Sequence, residues 1–283
     1  MIILVEYQFS GGSIIGTKHR QTNTNNQDSY FIEVQDDISV VLVSDGCSGC
    51  RFSEVGSKIG VRLVANSILS QTKRWLRFGN NLSHPSFWKH VKNDVLAYIR
   101  TLSNQMGESV FDIVNSYFLF TIIGAVVSSN ETIFFSLGDG VVIINGGVYQ
   151  IGPFKNNAPP YLAYPLLDVT FSDEEPNFLD FNIVEKIPTE EMKSFLIGTD
   201  GVNDLMVSAD LTLAGKSDLV GPVSQFWEED FYFKNPEGIN RRLNLINRDF
   251  VHIEKDGSKF IERGRLPDDT TLVVGRVTEK EVS

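Results

Sequence analysis

The sequence predicts a single α+β domain. Strand-like segments, helix-like segments and further strand-like segments follow one another over 283 residues, without an internal repeat, a low-complexity tract or a linker-like change of composition. Hydrophobic residues make up 42% of the chain and charged residues 22%, which is typical of a globular protein that builds its core without disulfides. We therefore expect one domain over residues 1–283.

The first part of the chain predicts strands followed by two helices. Apolar, β-branched runs favour strands over Ile2–Phe9, Ser29–Val34 and Ile38–Ser44. Ser53 is the expected N-cap of a helix with Glu54 in its first turn. Apolar residues then recur at near-helical spacing, at Val55, Ile59, Leu63 and Ile68. A second helix is predicted by a stripe that belongs in the core, formed by Phe87, Val91, Val95, Ile99, Leu102 and Met106.

Strands resume in the middle of the chain and a last strand closes it. Gly146 and Gly147 form a good hairpin turn between two of them. Residues 152–180 contain five prolines and predict an irregular segment. The predicted strands are Tyr117–Val127, Thr132–Leu137, Val141–Asn145, Val148–Ile151, Phe195–Thr199 and Leu272–Val277, and the predicted helical segments lie around Pro222–Asp230 and Gly238–Phe250.

Charge and composition argue against several classes of protein. The 25 Lys and Arg against 36 Asp and Glu give a net charge of −11, whose sign opposes binding to nucleic acid. The apolar start of the chain is short and meets Glu6, so we expect a first strand rather than a signal peptide. No apolar stretch approaches the ~20 residues that span a bilayer, so we expect no membrane partner. Two cysteines and no export signal favour a reducing, cytoplasmic location.

Aspartates at strand ends are the strongest functional signal. The runs "SVVLVSDG", "TIFFSLGDG" and "SFLIGTDG" end on Asp-Gly pairs at Asp45, Asp139 and Asp200, and Asp268 and Asp269 stand directly before the last strand. One Asp-Gly alone is a common turn, but an ordinary turn does not require the strand that precedes each of these. If the strand ends converge, the carboxylates are tolerable together only when protons or cations neutralise them. Oxygen ligands favour Mg(II) or Mn(II) over zinc or copper.

Other catalytic signatures are missing or incomplete. A cysteine phosphatase needs Arg six positions after its Cys, and neither Cys47 nor Cys50 has one. There is no Asp-x-Asp pair and no Gly-x-Ser-x-Gly elbow, and the P-loop-like run that ends in Ser217 has Asp210 in place of its first glycine. The four histidines lack zinc-ligand spacing. For the Cys47-Ser48-Gly49-Cys50 segment two interpretations stay open, a tight turn of small residues or a redox-sensitive pair.

The order of these motifs resembles the metal-dependent serine/threonine protein phosphatases, the type 2C or PPM family, in a divergent bacterial branch. The likeness runs through "GTKHRQTNTNNQDSYF", "VVLVSDGCSG", "SEVGSKIGVRLV", "SLGDGVVIING", "FLIGTDGVND" and "PDDTTLVV". It implies a four-layer α-β-β-α sandwich of two central antiparallel β-sheets flanked by helices, with residues 152–180 as a flap or insert. It also implies hydrolysis of phosphoserine or phosphothreonine on a partner protein, in signalling opposed to a protein kinase.

The resemblance further implies a set of metal ligands. Asp45 would bridge two Mn(II) or Mg(II) ions, with a third, weaker ion beside them. Asp28 matches an acidic residue that acts on this centre through water. A helical turn after the strand would put Asp200 and Asp204, four residues apart, on one side. The remaining ligands carry over residue by residue: the Gly46 carbonyl, Asp200 and Asp269 for the pair, and Asp139 and Asp204 for the third ion.

The resemblance leaves the phosphate-binding residue and the exact function open. Arg20 and His19 are the expected phosphate ligands, with Lys18 and Arg51 as alternatives, because Arg20 lies farther before Asp28 than is usual in the family. Two cations about 3.5–4 Å apart lower the pKa of a bridging water, so that hydroxide attacks phosphorus in line near neutral pH. Two other functions stay open: a catalytically weak pseudophosphatase that acts as a binding or sensing module, and a two-metal hydrolase of a small phosphoester.

Overall fold

The computed structural model describes residues 2–35, 38–77, 81–167 and 177–282. Two antiparallel β-sheets pack face to face, and helices cover both outer sides. The four-layer α-β-β-α sandwich is therefore confirmed. Segment 152–180 is irregular as expected: outside its undescribed part, residues 168–176, its helical structure is limited to two 3₁₀ turns, Lys155–Asn157 and Tyr164–Leu166.

The first sheet pairs the two ends of the chain. Its central pairing is antiparallel and runs from Tyr7 opposite Val277 to Ile14 opposite Thr270, which makes the first strand longer than predicted. In spatial order the strands are β1 (Ile2–Ile14), β12 (Thr270–Val282), β9 (Ser194–Gly198), β6 (Gly140–Ile144) and β7 (Gly147–Ile151).

The second sheet contains the strands predicted before the first Asp-Gly pair. Its spatial order is β2 (Ser29–Gln35), β3 (Ile38–Ser44), β4 (Ile122–Ser128), β5 (Glu131–Leu137) and β8 (Asn182–Pro188). Sequence reasoning missed β8, an edge strand whose residues are half-buried or exposed. It also missed a separate hairpin of β10 (Phe250–Ile253) and β11 (Lys259–Glu262).

Helices cover the outer face of each sheet. One layer covers the second sheet: α2 (Ser53–Arg77), α3 (Pro85–Gln105) and α4 (Val110–Tyr117). The other covers the first sheet: α5 (Gly201–Val207), α6 (Gln225–Glu228), α7 (Asp230–Lys234) and α8 (Gly238–Ile246). A short helix, α1 (Thr17–Thr22), follows β1 and was not predicted. None of the helices in the described ranges is long and apolar enough to cross a membrane.

Apolar layers hold the sandwich together. Between the two sheets, Val41 and Phe134 of one sheet face Phe195 and Val273 of the other, and all four are buried. The rings of Phe134 and Phe195 meet edge to face at 5.3 Å, a favourable aromatic geometry. This dry interior fixes how the strand ends of one sheet meet those of the other.

Four sequence predictions about local structure are wrong in detail. Ser53 is the first residue of α2 rather than its cap, and its buried hydroxyl has no hydrogen-bond partner. Leu102 and Met106 are 37% and 40% exposed, because the buried face of α3 continues from Ile99 to Ser103 rather than to Leu102. The predicted strand Tyr117–Val127 begins only at Ile122, after α4. The hairpin turn is formed by residues 145–146, both with positive φ, one position earlier than expected.

Candidate metal centre and active site

The loop after β3 holds Asp45 beside the start of β2. The Thr121 amide donates to the Asp45 carbonyl at 2.8 Å, and the Asp45 amide donates to the Thr121 hydroxyl at 3.1 Å. The Gly46 amide donates to the Gln27 carbonyl at 3.2 Å. A Cβ on Gly46 would lie 2.8 Å from the carbonyl oxygen of Ser53, so the close approach of α2 requires glycine here. The loop is therefore tied on both sides.

The turn between β5 and β6 carries Asp139 towards the end of β9. Gly138 and Gly140 have φ values of +111° and +142°, which L side chains rarely adopt. A Cβ on Gly140 would lie 2.4 Å from the carbonyl oxygen of Gly198, the last residue of β9. Because Asp200 follows Gly198 by two residues, this packing brings Asp139 and Asp200 to the same edge.

Four carboxylates line one cavity of about 300 Å³. Asp200 directly precedes α5 and Asp204 lies in its first turn, and both line the cavity. Asp139 and Asp268 complete the acidic lining of the cavity. Asp45 lies beside this lining, since the charges of Asp200 and Asp139 act on the Asp45 carboxyl group. The other lining residues are Gln150, Ile151, Pro153, Gly201 and Asn203.

Asp269, expected to be a catalytic metal ligand, is placed differently from Asp268. Its buried carboxylate accepts main-chain hydrogen bonds from Gly16 on Oδ1 and from Gln27 on Oδ2, each at 2.7 Å. His19 Nδ1 also lies 2.9 Å from Oδ2. Asp269 is therefore bonded to the chain on either side of α1, and Asp268, which sequence reasoning left unassigned, lies on the cavity wall. The only available signal was that adjacent residues near a strand point to opposite sides.

Asp28 and Asp45 are buried neighbouring carboxyl groups, and the charge of Asp28 acts on Asp45. Burial, reinforced by the charges of Asp269 and Asp200, raises the pKa of Asp28 to about 8, although the Thr199 hydroxyl donates to its Oδ2 at 2.7 Å. Burial and the Asp28 charge raise the pKa of Asp45 well above its usual value. Neither carboxyl has a basic partner among its electrostatic neighbours, so the pair fits a site for cations.

The cavity carboxylates perturb one another in the same direction. Burial raises the pKa of Asp200 to about 6, and the charges of Asp139 and Asp268 contribute. Burial also raises the pKa of Asp139. For Asp204, burial and the Asp268 charge raise the pKa, and the charge of Lys18 opposes them. An all-oxygen donor set with such uncompensated charge fits a hard divalent cation.

The basic residues near the cavity have different surroundings. Arg20, an expected phosphate ligand, directs its guanidinium to the Asn247 carbonyl at 2.6 Å and towards Asp249 at 3.7 Å. Arg51 lies over the Phe52 ring at 4.9 Å. Of the four candidate phosphate ligands, Lys18 and His19 are beside the carboxylates.

Lys18 and His19 lie beside Asp268 because the start of α1 is bonded to the chain before β12. The Lys18 amide donates to the Pro267 carbonyl at 3.0 Å, and a Cβ on Gly16 would lie 2.3 Å from the carbonyl carbon of Asp268. The side chain of Lys18 is exposed. Ligand atoms of His19, Asp268 and Asp269 lie within 4.8 Å of one another.

The four-layer sandwich thus carries a cavity lined by carboxylates where the edges of its two sheets meet. Solved structures share this fold. A bacterial serine phosphatase has a TM-score of 0.53 at 14% identity, over 99% of this chain and 100% of the other. PppA, a key regulatory component of the T6SS in Pseudomonas aeruginosa, has a TM-score of 0.52 at 16% identity, over 98% and 100%. No curated protein matches the chain in sequence.

The protein phosphatase 2C family model matches residues 15–245, more than half of the chain. The chain belongs to the protein phosphatase 2C family. It is thus a protein serine/threonine phosphatase, as its motifs predict.

Proposed function

We propose that this chain hydrolyses phosphoserine and phosphothreonine on proteins at the cavity lined by Asp139, Asp200, Asp204 and Asp268, with divalent cations as cofactors. The observation that carries the proposal is the convergence of carboxyl groups with raised pKa values and little basic compensation. Bound Mn(II) or Mg(II) would supply an activated water nucleophile and positive charge for the phosphoryl oxygens. That charge also explains how a protein of net charge −11 accepts an anionic substrate.

The ligand set that we propose differs from the expected one at a single position. Asp45, the Gly46 carbonyl and Asp200 keep their expected roles at the two-ion site. Asp268 replaces Asp269 there, because Asp268 lines the cavity and both oxygens of Asp269 already accept hydrogen bonds. A third ion would be held by Asp139 and Asp204.

Residues outside this set orient the site. Asp28 neighbours Asp45 on one side and accepts from Thr199 on the other, so it fixes the direction of the Asp45 carboxyl group. Asp269 holds the α1 loop, and with it His19, against the cavity wall. These buried bonds cost little reorganisation during the reaction, which is the advantage of a preorganised site.

We assign binding of the substrate phosphate to Lys18, with His19 next to it. Lys18 is exposed, its charge acts on Asp204, and none of the ion pairs among the described residues includes it. An exposed ammonium at the rim of an acidic cavity is free to meet a phosphoryl group. The substrate is then a phosphoprotein, produced by a protein kinase in the same compartment, and the two free thiols fit a reducing cytoplasm.

Phosphate release from a phosphothreonine peptide, with Mn(II) or with excess EDTA, tests the proposal. We expect release only with metal, and a loss of about 100-fold or more in Asp45→Asn and Asp200→Asn. Asp210→Asn, at an exposed position, is the matched control and should retain activity. Metal-loaded, folded protein that releases no phosphate from the peptide would instead indicate a binding module, and release only from a small phosphoester would indicate the third function.

A further inference from the structure

The two cysteines of the chain lie in one tight turn directly after Asp45 and Gly46. The Cys50 amide donates to the Cys47 carbonyl at 3.0 Å, which closes a β-turn over these four residues. The Cα atoms at the ends of a β-turn lie within about 7 Å, and disulfides form between Cα atoms about 4.4–6.8 Å apart. The backbone is therefore already shaped for a bond between the two sulfurs.

The two thiol groups are also close neighbours. The Cys50 thiol and the Tyr161 hydroxyl both act on the Cys47 thiol, and the Cys47 thiol acts on both of them in turn. Both cysteines are half-exposed, so a small oxidant reaches them. Gly49 leaves room in the turn, because even an added Cβ would lie 3.8 Å from Cys47 Sγ.

The ends of the turn are anchored, so oxidation would act locally. The Cys47 amide donates to the Leu119 carbonyl and the Phe52 amide donates to the Ser116 carbonyl, both at 2.9 Å. These bonds hold the chain on either side of the pair. A disulfide would consequently change side-chain positions and the path of residues 47–50 more than the surrounding fold.

We propose that Cys47 and Cys50 are a redox modification site that forms a reversible intramolecular disulfide with hydrogen peroxide. One thiol sulfur attacks a peroxide oxygen, the O–O bond breaks, and sulfenic acid and water form. The second thiol sulfur then attacks the sulfenic sulfur and displaces its oxygen as a second water. Two electrons and two protons leave the pair, and one peroxide molecule is reduced to two waters. A dithiol reductant reverses the reaction.

The disulfide should also affect the loop that holds Asp45 and Gly46, and this consequence rests on the proposed function. Bonding to Cys50 moves Cys47 Sγ relative to the neighbouring Tyr161 hydroxyl, and Tyr161 belongs to the irregular segment 152–180, where its ring meets Tyr164 at 5.2 Å. Cys47 is also the residue after Gly46. A displacement of about 1 Å in a catalytic group costs up to about 100-fold in rate, so we expect oxidation to lower kcat/KM by about tenfold.

Intact mass and thiol titration of peroxide-treated protein test the modification without relying on activity. We expect the wild-type chain to lose both free thiols and about 2 Da as a monomer, and to regain both with dithiothreitol. Cys50→Ser and Cys47→Ser should instead gain about 16 Da or more without a disulfide. Two retained thiols, an intermolecular dimer, or oxygen addition without a disulfide in the wild type would overturn the proposal.

Phosphate release before and after oxidation tests the consequence. The reduced wild type and reduced Cys50→Ser should have the same activity, and oxidation should lower kcat/KM only in the wild type. Full activity of the disulfide form would refute the regulatory effect while the mass result stands. If even the reduced protein releases no phosphate, the proposed function fails, and the mass and thiol measurements still decide the modification site.

Discussion

Replacing Asp269 and Asp268 singly by Asn should have opposite effects, although the two residues are neighbours. Asp269→Asn puts an NH₂ group opposite one of two main-chain N–H donors that now lie 2.7 Å from carboxylate oxygens. Hydrogen bonds to a charged group contribute about 1.5–3 kcal/mol, and a buried donor left without a partner adds about 1–3 kcal/mol. We therefore expect a loss of about 3–5 kcal/mol in the free energy of unfolding, or on the order of 10 °C in Tm.

Asp268→Asn should leave the metal-free protein as stable as the wild type or more so. Its charge raises the pKa values of Asp200 and Asp204, so removing the charge relieves repulsion. The new Oδ1 can still accept the 2.9 Å bond from the next amide. With metal, however, the wild type gains about 2.7 kcal/mol at a metal concentration 100 times Kd, and this variant should lose most of that gain.

Thermal unfolding in excess EDTA and in excess MnCl₂, combined with phosphate release, separates the two effects. Asp269→Asn should have a low Tm in EDTA, but Mn(II) should still raise its Tm as in the wild type. Asp268→Asn should have a normal or higher Tm in EDTA, a reduced rise in Tm with Mn(II), and no phosphate release. If Asp269→Asn were stable and insensitive to Mn(II), while Asp268→Asn kept the metal-induced rise, our assignment of the ligand would be refuted.

Three further predictions concern the same site. In EDTA, the urea concentration at the midpoint of unfolding should fall as pH rises from about 4 to about 8. The reason is that Asp28, with a pKa of about 8, and Asp200, with a pKa of about 6, keep protons in the folded state that the unfolded state has lost. A midpoint that stays constant or rises with pH would contradict this. Asp139→Ala should lower kcat several-fold with the Mn(II)-induced Tm rise intact, and loss of that rise would place Asp139 in the tight pair. Lys18→Ala should raise KM for phosphopeptide about tenfold, whereas Arg20→Ala should leave KM unchanged; the reverse result would restore Arg20 as the phosphate ligand.

A strand that is buried on both faces is the easiest element to find in the sequence. Strand β3, for example, is buried at every position, so its apolar run and the Asp45 that follows it stand out in the sequence. Strand β8 has the opposite character. It lies at a sheet edge, its Asn182 and Lys186 side chains are exposed, and its residue pattern resembles that of a loop. Its place is set by pairing with β5, which no local pattern records.

The site was predictable to the level of strand ends and no further. Which of two adjacent aspartates faces the cavity depends on Gly16 and Gln27, whose amides meet Asp269 from more than 240 residues away in the sequence. The role of Arg20 likewise depends on the Asn247 carbonyl. Contacts of this kind follow from the packing of the two sheets, and motif order alone does not contain them.

The position of the carboxylates links cation binding to the packing of the sheets. Asp28 and Asp45 belong to strand ends of the second sheet, Asp200 and Asp268 to strand ends of the first, and Asp139 to the connection between them. Without cations these groups repel one another across the sheet interface, and this repulsion adds to the effect of burial in raising their pKa values. Cations that neutralise them therefore favour the packed arrangement of the two sheets. Because such coupling is reciprocal, the apolar layer that holds the sheets together also sets how tightly the carboxylates can bind a cation.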